Sequence, residues 1–546
     1  MKRTLIVLLT LLLTSCSIQL PSTTSEQVTS NTSITTSSVT SENDPLIIEN
    51  MYLNVYGDEN QISIINKQEN ETFTYEFEGD AIRIENDEVI AVRGGNEVQV
   101  EVTSSKGRKG SFTVEVTNRK YVSTHQEVEE SEGWFNDVTI DKVTNMSEEF
   151  ANGIDISSLK QLYDNGQKFY DKNGNETSLL YILKDAGVNW IRLRLWNKPY
   201  DEYTNSKGEL TRFEYGGGNC TKENMAWIAH EAKAAGLKVL LNFHYSDFWS
   251  DPGNQILPKD WVNISTVDGL ADAIRSFTKE TLEYFREKDA LPDAVAIGNE
   301  ISSGLLIHDP GTEVTTSASG GAPSYSADHT DRNNGLQGRL YINGTKDSNY
   351  NIREYLRAGI EGVNQVDPSI KKMVHYVRGL SDPNSSIKFA NLVSDLGFDI
   401  LGLSAYPALH YINPTTLRNG FNTISNSLPS NMKVAIAEIS YGFTYEQDSW
   451  ASNSFYASAG KGEQGPVSSY EVSPQGQANC IKDASEIIAN LSNGFGVFYW
   501  EGAWTPTKKS GWADSASKVT WANQGLFSYN GKALGSLSVY NKMLGK

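Results

Sequence analysis

From about residue 150 onward, short apolar runs alternate with helical patterns along the chain. Eight runs have the length and composition of buried strands, and they span 153–157, 190–196, 239–244, 294–300, 372–377, 400–406, 434–438 and 496–501. Helical periodicity lies between several of them, over 224–235, 267–288, 352–366 and 475–491. Eight parallel strands close a barrel, so we predict an α/β fold with a (β/α)8 barrel over residues 146–546.

Two of the predicted strands end in a glutamate. Glu300 ends the fourth run and Glu438 ends the seventh. In such barrels, functional groups lie at the C-terminal ends of the strands, so both carboxylates should meet in one site. A pair of carboxyl groups is what glycoside hydrolysis requires. A glutamate after an apolar run can also be only the polar residue that ends a strand.

Composition narrows the classes of partner. The chain has 546 residues, 10% aromatic content, 11 Trp and a formal net charge of -20. The length predicts two or three domains, and the aromatic content is typical of a globular protein. The negative charge argues against nucleic acid and against adhesion to anionic lipid, because both require clusters of Lys and Arg. The negative charge does not argue against a neutral polymer as the binding partner.

The N-terminus has the pattern of an export signal. Lys2 and Arg3 precede an apolar stretch, 5–13, which is too short to span a bilayer. Leu-Thr-Ser-Cys at 13–16 resembles the lipobox of bacterial lipoproteins, in which Cys16 would carry the lipid. We therefore predict a signal peptide over 1–16 and a lipid-anchored protein on the extracellular face of a bacterial membrane. A plain secretory signal is the alternative.

Two further N-terminal segments precede the barrel. Residues 17–45 are rich in Ser and Thr and predict a disordered tether. Residues 46–118 carry alternating runs that predict a small antiparallel β-sandwich, at 62–65, 73–77, 81–84, 98–102 and 111–116. This region resembles bacterial Ig-like domains and is expected to act as a spacer. A linker over 119–145 would join it to the barrel.

Cysteine usage predicts neither a disulfide framework nor a zinc site. Once Cys16 is assigned to the lipid, Cys220 and Cys480 remain, without a CxxC or Cys/His cluster. The two could pair with each other, but we expect two buried free thiols.

The strand-end motifs carry a resemblance to a known family. Asn-Glu after strand four and Glu after strand seven resemble clan A glycosidases, which are retaining enzymes. More narrowly, residues 150–545 resemble glycoside hydrolase family 53, the endo-β-1,4-galactanases that cut type I arabinogalactan. The matching segments are 153–159, 192–196, 242–253, 297–300 and 496–501. The resemblance implies a galactan-cleaving enzyme that needs no cofactor for its chemistry. Nothing in the sequence demands a partner protein, so we expect a monomer.

The resemblance also implies roles for the strand-end residues. Glu300 would be the general acid/base and Glu438 the nucleophile, with their carboxyl groups about 5–5.5 Å apart. Asn299 would donate a hydrogen bond to the 2-hydroxyl of the sugar. Arg192 or Arg194 would keep Glu438 ionised, although an arginine in a barrel can equally form a structural ion pair.

Other residues at strand ends would form subsites for the sugar chain. They are His244, Asp247 and Trp249 after strand three, Tyr406 after strand six and Trp500 after strand eight. Trp500 would form the floor under the sugar at the cleavage point. A tryptophan in a barrel is also commonly a core residue. A metal-binding role for His244 is disfavoured, because no second ligand stands at helical spacing to it.

The chain departs from the family at two places. The loop after Glu300 is long and polar, over about 308–350, so product length does not carry over. Bacterial relatives also hold a structural calcium ion in the loop after strand seven. That segment, 446–453, matches their ligand run only in part, and Asp448 and Asn453 are the candidate ligands.

Two alternatives to a galactanase remain open from the sequence. The shared glutamates would also fit another clan A endoglycanase that acts on mannan or β-glucan. A non-catalytic surface lipoprotein that binds glycans is the other, although the intact glutamates and Asn299 argue against it.

Overall fold

The computed structural model describes residues 44–546, other than 59, 124–127, 205–206, 311–313, 316–323, 326–333, 379, 381, 412, 460–463 and 515–516. Cys16, the predicted signal peptide and almost all of the predicted tether therefore lie outside the described residues. Within the described part of the chain, no helix is both long and apolar enough to cross a membrane.

The eight predicted strands form a closed barrel, as the sequence indicated. Each pairs in parallel with its neighbours, and the eighth pairs with the first through Gly496 and Ala151. We number them barrel strands one to eight in chain order: Ala151–Asp155, Trp190–Leu195, Lys238–Phe243, Ala294–Ile297, Lys371–Tyr376, Ile400–Ser404, Lys433–Ile439 and Gly494–Tyr499. All are buried or nearly so, which explains why they read as continuous apolar runs.

Helices cover the outside of the barrel and join the strands. They are Leu159–Asp164, Leu179–Asp185, Lys222–Ala234, Val267–Glu287, Tyr350–Val366, Pro383–Val393, Pro407–His410, Pro414–Ser425, Pro474–Ala489 and Val539–Leu544. Single 3-10 turns lie at Glu132–Phe135, Lys259–Trp261, Asp347–Asn349, Ala522–Gln524 and Gly535–Ser538. The four helices that periodicity predicted are present within two residues of the expected bounds, where end fraying normally places such differences.

Short two-stranded pairs lie in the loops at the C-terminal ends of the barrel strands. Tyr200–Thr204 pairs with Leu210–Glu214 after barrel strand two. In the long loop after Glu300, Gly304–Leu305 pairs with Gly338–Arg339, and Val314–Thr315 pairs with Ser324–Tyr325. The long polar loop predicted from the sequence thus carries two small ladders of its own.

The N-terminal region is all-β, but its sheet is not wholly antiparallel. Met51–Leu53, Lys109–Val116, Asn96–Ser104 and Phe73–Glu76 form one sheet in that order, and Ile82–Glu85 pairs with Glu88–Ala91. The edge pair of Met51–Leu53 with Lys109–Val116 is parallel, which corrects the antiparallel expectation. Parallel neighbours need a long connection, and the intervening strands supply it. The predicted strand at 62–65 forms one isolated bridge, between Ile64 and Ile48.

The N-terminal region packs against the barrel through a buried polar contact. Glu231, on helix Lys222–Ala234, accepts hydrogen bonds from the Tyr56 hydroxyl at 2.7 Å and from the Arg83 guanidinium. Backbone bonds from Gly94 to Glu176 and from Ser178 to Val92 continue the junction. Because Glu231 is buried, the hydrogen bonds from Tyr56 and Arg83 offset the cost of removing its carboxylate from water.

Two other expectations concern the segments around this junction. Within the predicted linker 119–145, Trp134, Val138 and Val143 are buried in the same apolar core as the barrel helices. Cys220 and Cys480 are both buried free thiols, as expected.

Replacing Glu231 with alanine should destabilise the protein by about 3 kcal/mol, because the Arg83 cation loses its buried partner. The free energy of unfolding from urea titration measures this loss. Glu223→Ala, an exposed glutamate on the same helix, should change it by less than about 0.5 kcal/mol. Equal losses of unfolding free energy in Glu231→Ala and Glu223→Ala would contradict a stabilising role for the buried contact.

Candidate active site

An open cleft of about 640 Å³ lies at the C-terminal ends of the barrel strands. Both strand-end glutamates line it, together with most of the predicted substrate-binding residues. Its wall includes Arg194, His244, Trp249, Asn299, Glu300, Tyr406, Glu438, Trp500, Trp512 and Trp521. Polar groups concentrated in an aromatic cleft at this end of a barrel are typical of an enzyme active site.

A backbone turn brings Glu300 into the cleft. Barrel strand four ends at Ile297, and Gly298 then adopts a φ of 83°, where a Cβ would lie 2.6 Å from Ile301 Cγ2. Glu300 itself has a φ of 48°, a conformation that is uncommon for any residue except glycine. Such strain is found where a side chain must be held in place for function.

Glu438 reaches the cleft from within barrel strand seven. The register of strands six and seven shifts between Leu403 and Ser404, so that Ser404 lies opposite Glu438. Irregularities of this kind redirect side chains near active sites. Glu438 is 5% exposed, whereas Glu300 is only half-buried.

Arg192 connects the two glutamate-bearing strands. Its Nη2 donates to Glu438 Oε1 at 2.7 Å and to Asn299 Oδ1 at 2.9 Å, and its Nη1 donates to Asp155 at 2.6 Å. The Tyr406 hydroxyl donates to the other Glu438 oxygen at 2.9 Å. Both Glu438 oxygens therefore accept hydrogen bonds, which favours the ionised carboxylate.

Arg194 contacts a different set of groups. The sequence alone did not decide whether Arg192 or Arg194 contacts Glu438. Its guanidinium donates to Glu501 at 2.5 Å and to Asp155 at 3.0 Å. Its carbon atom Cζ lies 4.8 Å from the ring centre of Trp249 and 5.1 Å from that of Trp500. Arg194 thus supports the aromatic wall of the cleft, and Arg192 is the arginine that contacts Glu438.

Glu300 and Glu438 lie close enough to influence each other. One carboxylate oxygen of each lies within 4.8 Å of the other and of a His375 nitrogen. Burial raises the pKa of Glu300 well above its ordinary value, and the neighbouring Glu438 charge raises it further. Burial also raises the pKa of Glu438, but Arg192 and the Tyr406 hydroxyl oppose the rise. On deprotonation, Glu438 should therefore ionise first.

His375 and Ser404 complete the surroundings of Glu300, and the sequence interpretation did not select them. Glu300, His375 and Glu438 form the one cluster of three metal-ligand side chains in the described ranges. Both nitrogens of His375 already have partners, Asn299 Oδ1 at 3.0 Å and Ser404 Oγ at 2.9 Å. Burial lowers the pKa of His375 well below its ordinary value. Both ring nitrogens that a metal ion would need are therefore engaged in hydrogen bonds.

The predicted subsite residues after barrel strand three lie at different depths. His244 lines the cleft, and its Nδ1 accepts from the Trp196 indole at 3.2 Å. The Asp247 carboxylate instead accepts from the backbone N–H groups of Lys198 and Lys259, at 3.0 and 2.8 Å. Asp247 is not part of the cleft wall and organises two loops, so its predicted contact with substrate is not supported by this placement.

The aromatic residues form one connected wall. Trp249 stacks on Trp512, with ring centres 4.1 Å apart, and Trp500 meets Trp521 edge-on at 4.4 Å. Trp512 and Trp521 were not predicted, because they stand in an irregular C-terminal segment without periodicity. The high Trp content, 11 residues in the whole chain, was the sequence feature that could have pointed to a larger aromatic wall.

The candidate metal ligands lie in the loop after barrel strand seven. Asp448 and Asn453 are both buried, and Asp448 Oδ1 accepts from the Trp450 backbone at 2.8 Å. Asn453 donates to the Glu446 carbonyl at 2.8 Å, while its buried Oδ1 has no hydrogen-bond partner in the part of the chain described. An unsatisfied buried oxygen of this kind can accept a cation.

Sequence comparison places this architecture among known proteins. The family model for Glycosyl hydrolase family 53 matches residues 151–540. The matched range contains all eight barrel strands, both strand-end glutamates and every described residue of the cleft wall named above.

Individual relatives match over most of their length. The chain is 30% identical over 441 residues to an endo-beta-1,4-galactanase of Bacillus subtilis (strain 168), covering 74% of this chain and 88% of that protein. It is 28% identical over 401 residues to an arabinogalactan endo-beta-1,4-galactanase of Humicola insolens, covering 72% and 98%. The solved structure of an Ignisphaera aggregans GH53 catalytic domain superposes with a TM-score of 0.58 at 32% identity, covering 74% and 99%.

Proposed function

We propose that this chain, a glycoside hydrolase that belongs to glycosyl hydrolase family 53, cuts internal β-1,4-galactosidic bonds of galactan with retention of configuration. The observation that carries the proposal is the pair of glutamates at the ends of barrel strands four and seven. Their nearest oxygens lie within 4.8 Å, which fits the short separation of retaining enzymes and leaves no room for the water that an inverting enzyme needs.

In the first step, Glu300 donates its proton to the glycosidic oxygen. The bond between C1 and that oxygen breaks, and its electron pair stays with the leaving sugar. Glu438 attacks C1 and forms a covalent glycosyl ester. The raised pKa of Glu300 supports its role as the acid, and the hydrogen bonds from Arg192 and Tyr406 to Glu438 support an ionised nucleophile.

In the second step, Glu300 acts as the base. Its carboxylate takes a proton from water, and the water oxygen attacks C1. The ester bond to Glu438 breaks, its electron pair returns to the carboxylate, and both glutamates regain their starting states. Esterification of Glu438 removes a negative charge that raises the pKa of Glu300, so Glu300 can give up its proton in the first step and act as a base in the second.

Several neighbours would orient the sugar for these steps. Asn299 Nδ2 donates to the Ser250 carbonyl at 2.7 Å, and its second hydrogen is available for the 2-hydroxyl of the sugar. Trp500 lies in the cleft wall beside Trp249 and offers an apolar surface to a sugar ring. Arg194 acts through this wall, by contacting both rings.

The names of the relatives support galactan as the substrate. Both curated relatives described above are endo-β-1,4-galactanases, and each is matched over more than two thirds of this chain. Another clan A endoglycanase activity, on mannan or β-glucan, is the alternative that the catalytic residues alone leave open. A non-catalytic glycan-binding protein is disfavoured, since both glutamates and their partners are in place.

Glu438→Ala should abolish release of reducing sugar from linear β-1,4-galactan, because no covalent intermediate can form. Glu300→Ala should lower kcat/KM on the polymer by about 10²–10⁴-fold. It should spare an aryl β-glycoside whose phenolate leaves without protonation. Steady-state kinetics on both substrates measure these effects, with Glu471→Ala, an exposed glutamate, as the control that retains activity.

A panel of linear galactan, β-mannan, xylan and mixed-linkage glucan tests the substrate in the same assay. Turnover of galactan alone supports the proposal. Turnover of another glycan alone would keep the two glutamates and reject the galactanase assignment. Wild-type turnover in Glu438→Ala would contradict the nucleophile.

We further propose that a structural calcium ion binds in the loop after barrel strand seven. Asp448 would supply a carboxylate, and the buried Oδ1 of Asn453 would supply an amide oxygen, both of which are ligand types that calcium prefers. The ion would fix the loop next to the strand that carries Glu438. No step of the reaction involves it.

Calcium should raise the melting temperature of the wild-type protein by about 2–4 °C, because it binds the folded state only. Thermal unfolding with calcium, with magnesium and after chelation measures this shift. Asp448→Asn should lose the response to calcium. An unchanged melting temperature in the wild type would remove the calcium proposal and leave the catalytic one intact.

We also infer that the chain is lipid-anchored at Cys16 on the extracellular face of a bacterial membrane and acts as a monomer. The sequence of residues 1–16 supports the anchor. At this surface the enzyme would meet a polymer too large to enter the cell.

Cys16→Ser should move the protein from the detergent phase to the aqueous phase in a detergent partition of expressing cells. Its mass in solution should then be that of one chain. Partition into the detergent phase in both forms would contradict an anchor at Cys16, and a multiple of the mass would contradict a monomer.

A further inference from the structure

A chain of three hydrogen bonds runs behind Glu300, on the side of the barrel core. Glu300 Oε1 lies 2.5 Å from Ser404 Oγ, which lies 2.9 Å from His375 Nε2. His375 Nδ1 in turn lies 3.0 Å from Asn299 Oδ1. Ser404 and His375 are completely buried, so water cannot satisfy either side chain.

The direction of this chain is fixed at Asn299. Arg192, which has donors only, donates to Asn299 Oδ1 at 2.9 Å, and Asn299 Nδ2 donates to the Ser250 carbonyl at 2.7 Å. These two contacts leave one orientation for the amide. Asn299 Oδ1 is therefore an acceptor, and His375 Nδ1 must carry the hydrogen that it receives.

The same reasoning passes along the chain to Glu300. Burial lowers the pKa of His375 well below its ordinary value, and the Arg192 cation lowers it further, so the ring is neutral. A neutral ring with hydrogen on Nδ1 has an acceptor at Nε2. The Ser404 hydroxyl must therefore donate to His375, which leaves its oxygen free only to accept. The short contact to Glu300 then requires a proton on the glutamate.

We propose that Ser404 and His375 are positioning residues that keep Glu300 protonated in the free enzyme, through the one-way chain Glu300 to Ser404 to His375 to Asn299. The proposal deepens the catalytic one above and rests on it. When Glu300 has given its proton to the glycosidic oxygen, the Ser404 hydroxyl must turn toward the carboxylate. His375 Nε2 then has no donor, so the network favours return of the proton from water.

Other charged and titratable groups also face this pair, and they stay in place when Ser404 is replaced. From the packed strands and loops they are Arg192, Arg194, His244, Asp251, Tyr406, His410 and Glu438. Their influence on Glu300 should be nearly equal in the wild type and in a Ser404 variant. A difference between the two then reports the hydrogen-bond chain.

The test is the pH dependence of kcat/KM on linear β-1,4-galactan for the wild type, Ser404→Ala and Ser404→Thr. The basic limb of the kcat/KM profile reports the pKa of the general acid in the free enzyme. In Ser404→Ala it should move down by about one pH unit, a tenfold change in the protonation equilibrium. Ser404→Thr keeps the hydroxyl and should keep the limb in place. An unmoved or raised limb in Ser404→Ala would overturn the proposal.

His375→Asn provides a second variant with a different prediction for the same chain. The shorter amide can still donate to Asn299, but it no longer reaches Ser404. The Ser404 hydroxyl is then free to donate to the Glu300 carboxylate, so the basic limb should also move down. A limb that stays at the wild-type position in this variant would contradict the proposed direction of the chain.

A measurement without substrate separates this proposal from the catalytic one. The 13C resonance of the Glu300 carboxyl, assigned with Glu300→Gln, should titrate at lower pH in Ser404→Ala than in the wild type. A cooperative thermal unfolding transition in each variant shows that the variants fold. A silent wild type on galactan would defeat the proposed substrate, whereas equal carboxyl titrations would defeat the hydrogen-bond chain alone.

Discussion

The buried guanidinium of Arg192 is the interaction on which the rest of the active site depends. It donates to Asp155 on barrel strand one, to Asn299 after strand four and to Glu438 on strand seven. Its planar fork can serve several acceptors at once, which an ammonium group could not do in the same geometry. One cation thereby holds three distant parts of the chain in register and compensates two buried carboxylates.

This arrangement makes two similar glutamates chemically different. Glu438 faces the cation and a phenol, and both of its oxygens accept hydrogen bonds. Glu300 faces the negative charge of Glu438, which raises its pKa, and lies within hydrogen-bond distance of Ser404. In the proposed mechanism, environment, and not residue type, assigns the roles of nucleophile and acid. The turn at Gly298 and Glu300, where both residues have a positive φ, brings Glu300 into the cleft wall that Glu438 also lines.

The sequence predicted those features that leave a local pattern. Barrel strands are buried, so they read as apolar runs, and the glutamates at their ends are visible for that reason. The choice between Arg192 and Arg194 was not local, because both lie on the same face of one strand and differ only in what faces them across the barrel. Asp247, His375 and Ser404 depend likewise on contacts between distant segments, and the parallel edge strand of the N-terminal sheet depends on a pairing between residues about sixty positions apart.

The stereochemistry of the first product tests the central claim most directly. Proton NMR of linear β-1,4-galactan during its first minutes of hydrolysis distinguishes the newly formed anomers before mutarotation mixes them. The account predicts that the β anomer forms first, since two close carboxylates lead through a covalent intermediate to retention. Initial formation of the α anomer would contradict it, because that outcome requires direct attack by water.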